Sequence, residues 1–337
     1  MKRAGRRTNL ALLAVVTVAL LTGFLAYGVG TEWGRWVVAA HGVTGLAIVG
    51  LAPWKSVIVR RGVVRRRPGF AASIALTVLA LLTILTGVLH ATGLGVSLGP
   101  VTSLQVHVGA ALAVIPLAVW HVLARPVRPR RTDMTRRSLL RAGTLLGGAA
   151  LGYAAAEGLV RVASLPGADR RFTGSYEAGS LRPEALPVTQ WLDDRVQEIA
   201  PRSWRLTVVT AEAAREIAYE ELVAFDDRVR AVLDCTGGWF SEQEWEGVTL
   251  DRLIPDPGEA RSVVVRSVTG YSRRLPVRDL PSMLLALRLG GEPLPSGHGF
   301  PARLVAPGRR GFWWVKWVSR IETSPAPWWW QSPFPLT

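Results

Sequence analysis

Cys235 is the only cysteine in a chain of 337 residues. It stands in Asp234-Cys235-Thr236-Gly237-Gly238-Trp239, with no partner for a disulfide inside the chain. A lone cysteine is commonly a small buried apolar residue. The sharper chemistry open to it is that of a soft thiolate ligand for a metal. Four of the five histidines, His41, His90, His107 and His121, fall in long apolar stretches. Ionisable groups are costly there and mark function. Neutral imidazole is also the usual axial ligand of haem iron. His107 and His121 are 14 residues apart, about 21 Å along one helix. No second helix repeats that spacing: Lys55 lies 14 after His41, and Leu76 lies 14 before His90. A haem held between two histidines is one chemistry open to them. His41 and His107 share the better depth, and His90 is the alternate ligand. Gly42, Gly45 and Gly109 would let a flat macrocycle approach the backbone. Hydrogen bonding between helices is the plainer role for such histidines.

The elements that must position these groups differ between the two halves of the chain. Apolar runs at about Leu10–Tyr27, Trp36–Trp54, Phe70–Ala91 and Leu104–Ala124 predict four membrane-spanning helices. A fifth, richer in Gly and Ala, runs over about Leu139–Val160. The net charge of +15 sits mostly in residues 1–9, 55–67 and 125–141. Those segments hold seventeen basic residues and one acid, Asp133, which leaves the rest of the chain at a net −1. Such a distribution excludes a nucleic-acid binder, whose positive charge would cover the soluble face. It follows the positive-inside rule instead, with a cytoplasmic N-terminus and a C-terminal domain outside the cytoplasm. The length of the first apolar segment and the spans after it argue against a cleaved signal peptide.

After a Pro- and Gly-rich connector, short alternating runs at Trp204–Thr210, Arg230–Asp234, Ser262–Val268, Ala302–Ala306 and Trp313–Thr323 predict strands. Leu280–Leu289 is the best helical pattern among them. The expected architecture is multi-domain: an all-α bundle of five transmembrane helices followed by a β-rich α+β domain. The expected divisions are residues 1–134 for the four-helix membrane domain and 135–163 for the fifth helix. Residues 164–325 form the β-rich domain, and 326–337 a Trp/Pro-rich tail.

Five pieces in order carry a specific resemblance. They are Trp204-Arg205-Leu206, Cys235 followed by Gly237-Gly238-Trp239, Trp245-x-Gly247-Val248-x-Leu250, Gly297-His298-Gly299-Phe300-Pro301-Ala302-Arg303, and Trp314-Val315-Lys316-Trp317. Together these resemble the molybdopterin-binding domain of the sulfite oxidase family over about residues 185–325. The resemblance implies an oxidoreductase carrying a molybdenum–molybdopterin cofactor, with Cys235 as the one protein thiolate on molybdenum. It implies that His298, Arg303, Trp314, Val315 and Lys316 hold the pterin and its phosphate. Thr189, Trp191 and Asp193 align with a further pterin-contacting stretch, although their residue types differ. Helix 5 opens on Thr135-Arg136-Arg137-Ser138-Leu139-Leu140-Arg141, which resembles a twin-arginine export signal and implies the twin-arginine translocase as a partner. The 14-residue histidine spacing resembles b-type cytochromes, which implies haem b and a quinone pool or another membrane electron carrier.

The departures bear on substrate. Sulfite oxidases carry an arginine soon after the cysteine and another in the stretch aligned with Trp191. Here Gly238-Trp239 and Trp191 stand in those places, and the tail is Trp328-Trp329-Trp330 where a tyrosine is expected. With two oxyanion-holding cations gone, the expected substrate is a small neutral S- or N-oxide rather than sulfite. Bacterial methionine sulfoxide reductases share this fold and take electrons from a haem membrane subunit. Two alternatives remain open at this level: sulfite-type oxidation, and a non-catalytic membrane-tethered binding or sensing module.

Overall fold

The computed structural model describes residues 5–64, 69–95, 101–191 and 194–333. The chain forms two compact units, Met1–Gly174 and Ser175–Thr337.

The first unit is helical: α1 (Arg6–Gly28), α2 (Gly34–Val64), α3 (Phe70–Thr92), α4 (Ser103–Ala124) and α5 (Arg136–Val162). All five are long and apolar enough to cross a membrane. Helices α1 and α2 pack as one hairpin, α3 and α4 as another, and α5 lies along α2. Sharp caps begin the later helices. Thr102 and Gln105 form a reciprocal capping box at α4, and Thr135 and Ser138 do the same at α5. Helix α2 is 31 residues long and runs some ten residues past the expected Trp54. Lys and Arg are good helix formers, so the basic segment continues the helix rather than ending it. Leu21, Leu81, Leu112 and Leu151 are exposed on the outside of the unit. So large an apolar exterior is compatible with helices that cross a membrane.

The second unit holds eleven strands among the described residues: β1 (Tyr176–Glu177), β2 (Arg205–Val209), β3 (Ala214–Ala218), β4 (Asp227–Asp234), β5 (Trp239–Thr249), β6 (Ser262–Ser267), β7 (Ser272–Pro276), β8 (Leu284–Leu289), β9 (Glu292–Pro293), β10 (Arg303–Val305) and β11 (Val318–Ser324). One sheet runs β1-β5-β8-β10, with β4 also on β5 and β9 also on β8. The other runs β3-β2-β11-β6-β7. A single apolar cluster joins them, with Leu206, Trp245, Val248, Val263, Leu285, Leu304 and Ile321 essentially inaccessible. The long β5 bulges between Glu246 and Gly247. A Cβ on Gly247 would lie 2.0 Å from the Leu285 carbonyl oxygen, so the bulge requires glycine.

Two sequence expectations are corrected. Leu280–Leu289 is not a helix: Val277–Ser282 is a 3-10 turn and Leu284–Leu289 is β8. Pro281 interrupts the helical pattern. The Leu-rich run is buried between β5 and β10, where a continuous apolar run suits a central strand. The strand expected from Trp313 begins only at Val318. Gly311–Trp313 is a 3-10 turn, and Trp314, Val315 and Lys316 form an irregular link into β11.

Candidate molybdopterin site and a histidine pair in the helical unit

Cys235 sits in the tight turn between β4 and β5. Its N–H donates to Trp239 O (2.8 Å), and Gly238 N–H donates to Cys235 O (3.2 Å). Gly238 has φ +96°, a conformation that favours glycine. Gly237 N–H lies 3.3 Å from Cys235 Sγ, and Thr189 Oγ1 lies 3.5 Å from it. Among the described residues no three His, Cys, Asp or Glu side chains gather as a metal site. A metal at Cys235 must therefore bring most of its ligands with it, as a dithiolene-bound molybdenum does.

Arg303 enters from β10, only 3 % exposed. Its Nη1 donates to His298 O (3.2 Å), and its guanidinium lies 5.2 Å from the Trp245 ring and 5.6 Å from the Trp314 ring. Its Nε is buried and without a partner. Burial brings its pKa down to about 9, with Cys235 opposing. Lys316 Nζ donates to Gly297 O (2.6 Å), Thr189 O (2.8 Å) and Gln190 Oε1 (3.2 Å). Burial first, and Arg303 second, lower its pKa to about 7. His298 is held down to about 3 by burial, then by Arg303 and Lys316, so its ring is neutral.

The backbone brings these groups together. Gly299, at φ +110°, packs so closely that a Cβ would sit 3.1 Å from Lys316 Cα and 3.2 Å from Arg303 Cβ. Leu304 N–H donates to Val315 O and Val318 N–H to Ala302 O, which lays the Lys316 link along β10. Val315 is fully buried, and Trp314 packs edge-on to Trp245 at 5.6 Å. Trp191 meets Phe312 at 5.9 Å and Tyr271 at 6.4 Å. Asp193 lies outside the described residues.

The donor set fits the cofactor that the fold family uses. Arg303 and Lys316 are buried cations within electrostatic reach of the Cys235 sulfur. Among the described residues, no carboxylate lies within ion-pair distance of either, although Asp194 and Cys235 act on Lys316 at longer range. Buried cations without a close ion-pair partner are expensive, and a phosphate or dithiolene anion would remove much of that cost.

Trp239, noted in the sequence for standing where an arginine is expected, has a buried Nε1–H without a partner, and the sequence reading passed over Gln190, whose buried Nε2 is likewise without one. A Cβ on Gly237 would lie 3.4 Å from Cys235 Sγ and 3.8 Å from Trp239 Nε1, so sulfur and indole flank one glycine. The signal for Trp239 was its place after Gly-Gly in the turn; nothing marked Gln190.

In the helical unit, the rings of His41 and His107 lie 5.8 Å apart at 87°. Each Nδ1 meets a carbonyl of the preceding helix: His41 to Ala19 O (2.9 Å), His107 to Thr83 O (2.7 Å). A carbonyl only accepts, so both rings carry the Nδ1 proton and keep an Nε2 lone pair for a ligand. The two hairpins repeat this device. Thr22-Gly23 cradles His41, and Thr86-Gly87 cradles His107. Trp54 and Trp120 each follow 13 residues after the histidine. That repeat was readable and was missed. His90 packs against Gly174, where a Cβ would lie 3.2 Å from Nε2. His121 lies beside Trp120.

The second unit carries a molybdopterin-binding oxidoreductase domain that is similar to those of sulfite oxidases and nitrate reductases. Residues 193–330 match the family model of the oxidoreductase molybdopterin-binding domain. Mitochondrial sulfite oxidase of Macaca fascicularis is 49% identical over 167 residues, covering 39% of this chain and 31% of that protein. Nitrate reductase [NADPH] of Mycosarcoma maydis is 43% identical over 77 residues, covering 20% of this chain and 8% of that protein. Among solved structures, the sulfane dehydrogenase SoxCD of Paracoccus pantotrophus is 26% identical with a TM-score of 0.37. It covers 39% of this chain and 40% of that one. The chain spans about a third of the length of the sulfite oxidases that it matches.

Proposed function

We propose that this chain is a membrane-anchored oxidoreductase whose molybdenum site reduces a small neutral S- or N-oxide outside the cytoplasm. The carrying observation is the gathering near Cys235 of two buried cations, Arg303 and Lys316, that form no close ion pair among the described residues, beside the uncharged indole of Trp239. Cys235 is the thiolate ligand, and Arg303, Lys316 and His298 hold the anionic pterin. Trp314 and Val315 fix the link that carries Lys316. Molybdenum so held supplies two-electron oxygen-atom transfer. The chain's own residues set what reaches it. Trp191 and Trp239 wall the site and exclude water, and the Trp239 indole N–H is a neutral donor for an uncharged oxide oxygen. The arginines that would hold an oxyanion have no counterpart at these two positions.

His41 and His107 would hold haem b, which would supply one-electron transfer from a quinone pool or another membrane carrier. The doubly tied imidazoles support that donor set, and His90 at its own glycine is the weaker ligand. Anchoring rests on five long apolar helices. The orientation rests on the three basic segments, and it is supported by Asp133, which pairs with Arg6 and lies 3.7 Å from Arg7. That contact joins the first and third basic segments at one end of the bundle. Export of the folded domain runs through the twin-arginine translocase. Arg136→Lys with Arg137→Lys should leave the domain cytoplasmic, and normal export of that variant removes this part of the reading.

The deciding experiment is metal and pterin analysis with an optical spectrum of the purified protein. Stoichiometric molybdenum and a reducible b-type spectrum are expected; a colourless protein without molybdenum defeats the proposal. A second reading, sulfite-type oxidation, is favoured by the identity to mitochondrial sulfite oxidase. Turnover of sulfite but not of methionine sulfoxide or trimethylamine N-oxide selects it.

A further inference from the structure

Beneath the Cys235 turn lies a buried charged network that the reading above leaves unused. Asp234, the last residue of β4, and Arg310 are both 2 % exposed. Arg310 Nη1 lies 2.9 Å from Asp234 Oδ1, and Arg310 Nη2 donates to Cys235 O at 3.2 Å. Ser175 Oγ donates to the same Asp234 oxygen at 2.6 Å. The two backbones meet as an isolated parallel bridge, Asp234 with Arg310. The next residue, Gly311, is packed so closely that a Cβ would sit 3.3 Å from both Asp234 O and Cys235 Cα.

A buried ion pair is a poor device for stability alone, because desolvating both charges offsets much of their attraction. It is a good device for fixing geometry. One guanidinium here is in ion-pair contact with the side chain before the cysteine and donates a hydrogen bond to the carbonyl of the cysteine itself. The same loop continues to the pterin-side cations. Trp314 Nε1 donates to Arg309 O at 3.2 Å, and the Trp314 ring lies against Arg303. The loop therefore links the sulfur to the buried cation across the site. We propose that Arg310, held by Asp234, is a positioning residue that sets the Cys235 sulfur for metal ligation. This rests on the reading of Cys235 as the molybdenum ligand.

The chain's single cysteine makes the test direct. In full-length, detergent-solubilised protein made without pterin synthesis, the rate of Cys235 alkylation by iodoacetamide reports the sulfur's setting without any cofactor. The variants are Arg310→Lys and the apolar double variant Asp234→Leu with Arg310→Met. The double variant removes both charges, so neither is left buried and unpaired. Its thermal midpoint should stay near that of the native protein, while alkylation shifts at least tenfold. Made with pterin synthesis on, it should carry less than a tenth of the native molybdenum. Arg310→Lys, which keeps the charge but not the fork, should fall between. A folded double variant with native alkylation and full metal overturns the proposal. If the double variant does not fold, native alkylation and metal in Arg310→Lys overturn it instead. Should the native protein itself lack molybdenum, the functional reading fails, and the alkylation comparison still decides the positioning role.

Discussion

Thr189 Oγ1 lies 3.5 Å from Cys235 Sγ, while the carbonyl of the same threonine accepts from Lys316 Nζ at 2.8 Å. One residue thus touches the sulfur with its side chain and the buried Lys316 ammonium with its backbone. Thr189→Val keeps the shape and the carbonyl but removes the hydroxyl. Metal content should stay native. Cys235→Ser should lose at least nine-tenths of the molybdenum while the domain stays folded. Elemental analysis with circular dichroism distinguishes the two.

Arg303 separates stability from cofactor binding. In cofactor-free protein it is a fully buried cation with no ion-pair partner among the described residues. Arg303→Leu should leave the empty domain as stable or up to about 2 kcal/mol more stable, because a desolvation cost is removed. Pterin content should fall at least tenfold. Thermal unfolding of cofactor-free protein and pterin fluorescence of the loaded protein read the two effects.

Lys316 sets a pH dependence whose sign follows from its pKa, lowered from an ordinary 10.5 to about 7. Between those values the unfolded chain binds the proton and the folded one does not. Stability of the cofactor-free protein should therefore rise with pH from about 7 to about 10.5. Below pH 7 both states are protonated, and the cost of the buried charge is fully present. Lys316→Met should flatten this slope in thermal melts across pH 6–10.

Trp239 tests the substrate class. Trp239→Phe keeps the aromatic wall and removes the unpartnered N–H. Loss of one such donor should cost about 10- to 1,000-fold in kcat/KM for a neutral oxide, with molybdenum unchanged. Trp239→Arg restores a cation to the position where sulfite oxidases have one and should raise relative turnover of sulfite. Steady-state kinetics on methionine sulfoxide and sulfite check both.

In the helical unit, Gly87 can be changed without touching a ligand. A Cβ there would lie 2.9 Å from His107 Nδ1. Gly87→Val should therefore push the ring off the Thr83 carbonyl. Haem retention should weaken about tenfold or more, as His107→Ala would do outright. The reduced-minus-oxidised spectrum per protein gives the measurement.

Local pattern was enough for much of this molecule. Runs of apolar residues set five helices, because a bilayer-length helix needs little beyond its own composition. Cys235 stood out as the single cysteine, and His298, Arg303 and Lys316 only through the family resemblance that their motifs carry. Pattern misled at Leu280–Leu289, where helical spacing gave way to burial on both faces between β5 and β10, and at Trp313–Val315, where the chain turns before β11. Other features had no local signal at all. Asp234 and Arg310 lie 76 positions apart, and only the packing of the Gly311 loop on the Cys235 turn makes them one clamp. The same holds for Thr189 with Cys235. The sequence by itself determined the composition of the two halves and the chemistry of the sulfur and its cations. The tertiary structure decided which charges are left without counter-charge, because desolvation and pairing depend on what packs around a group, not on its neighbours in the chain.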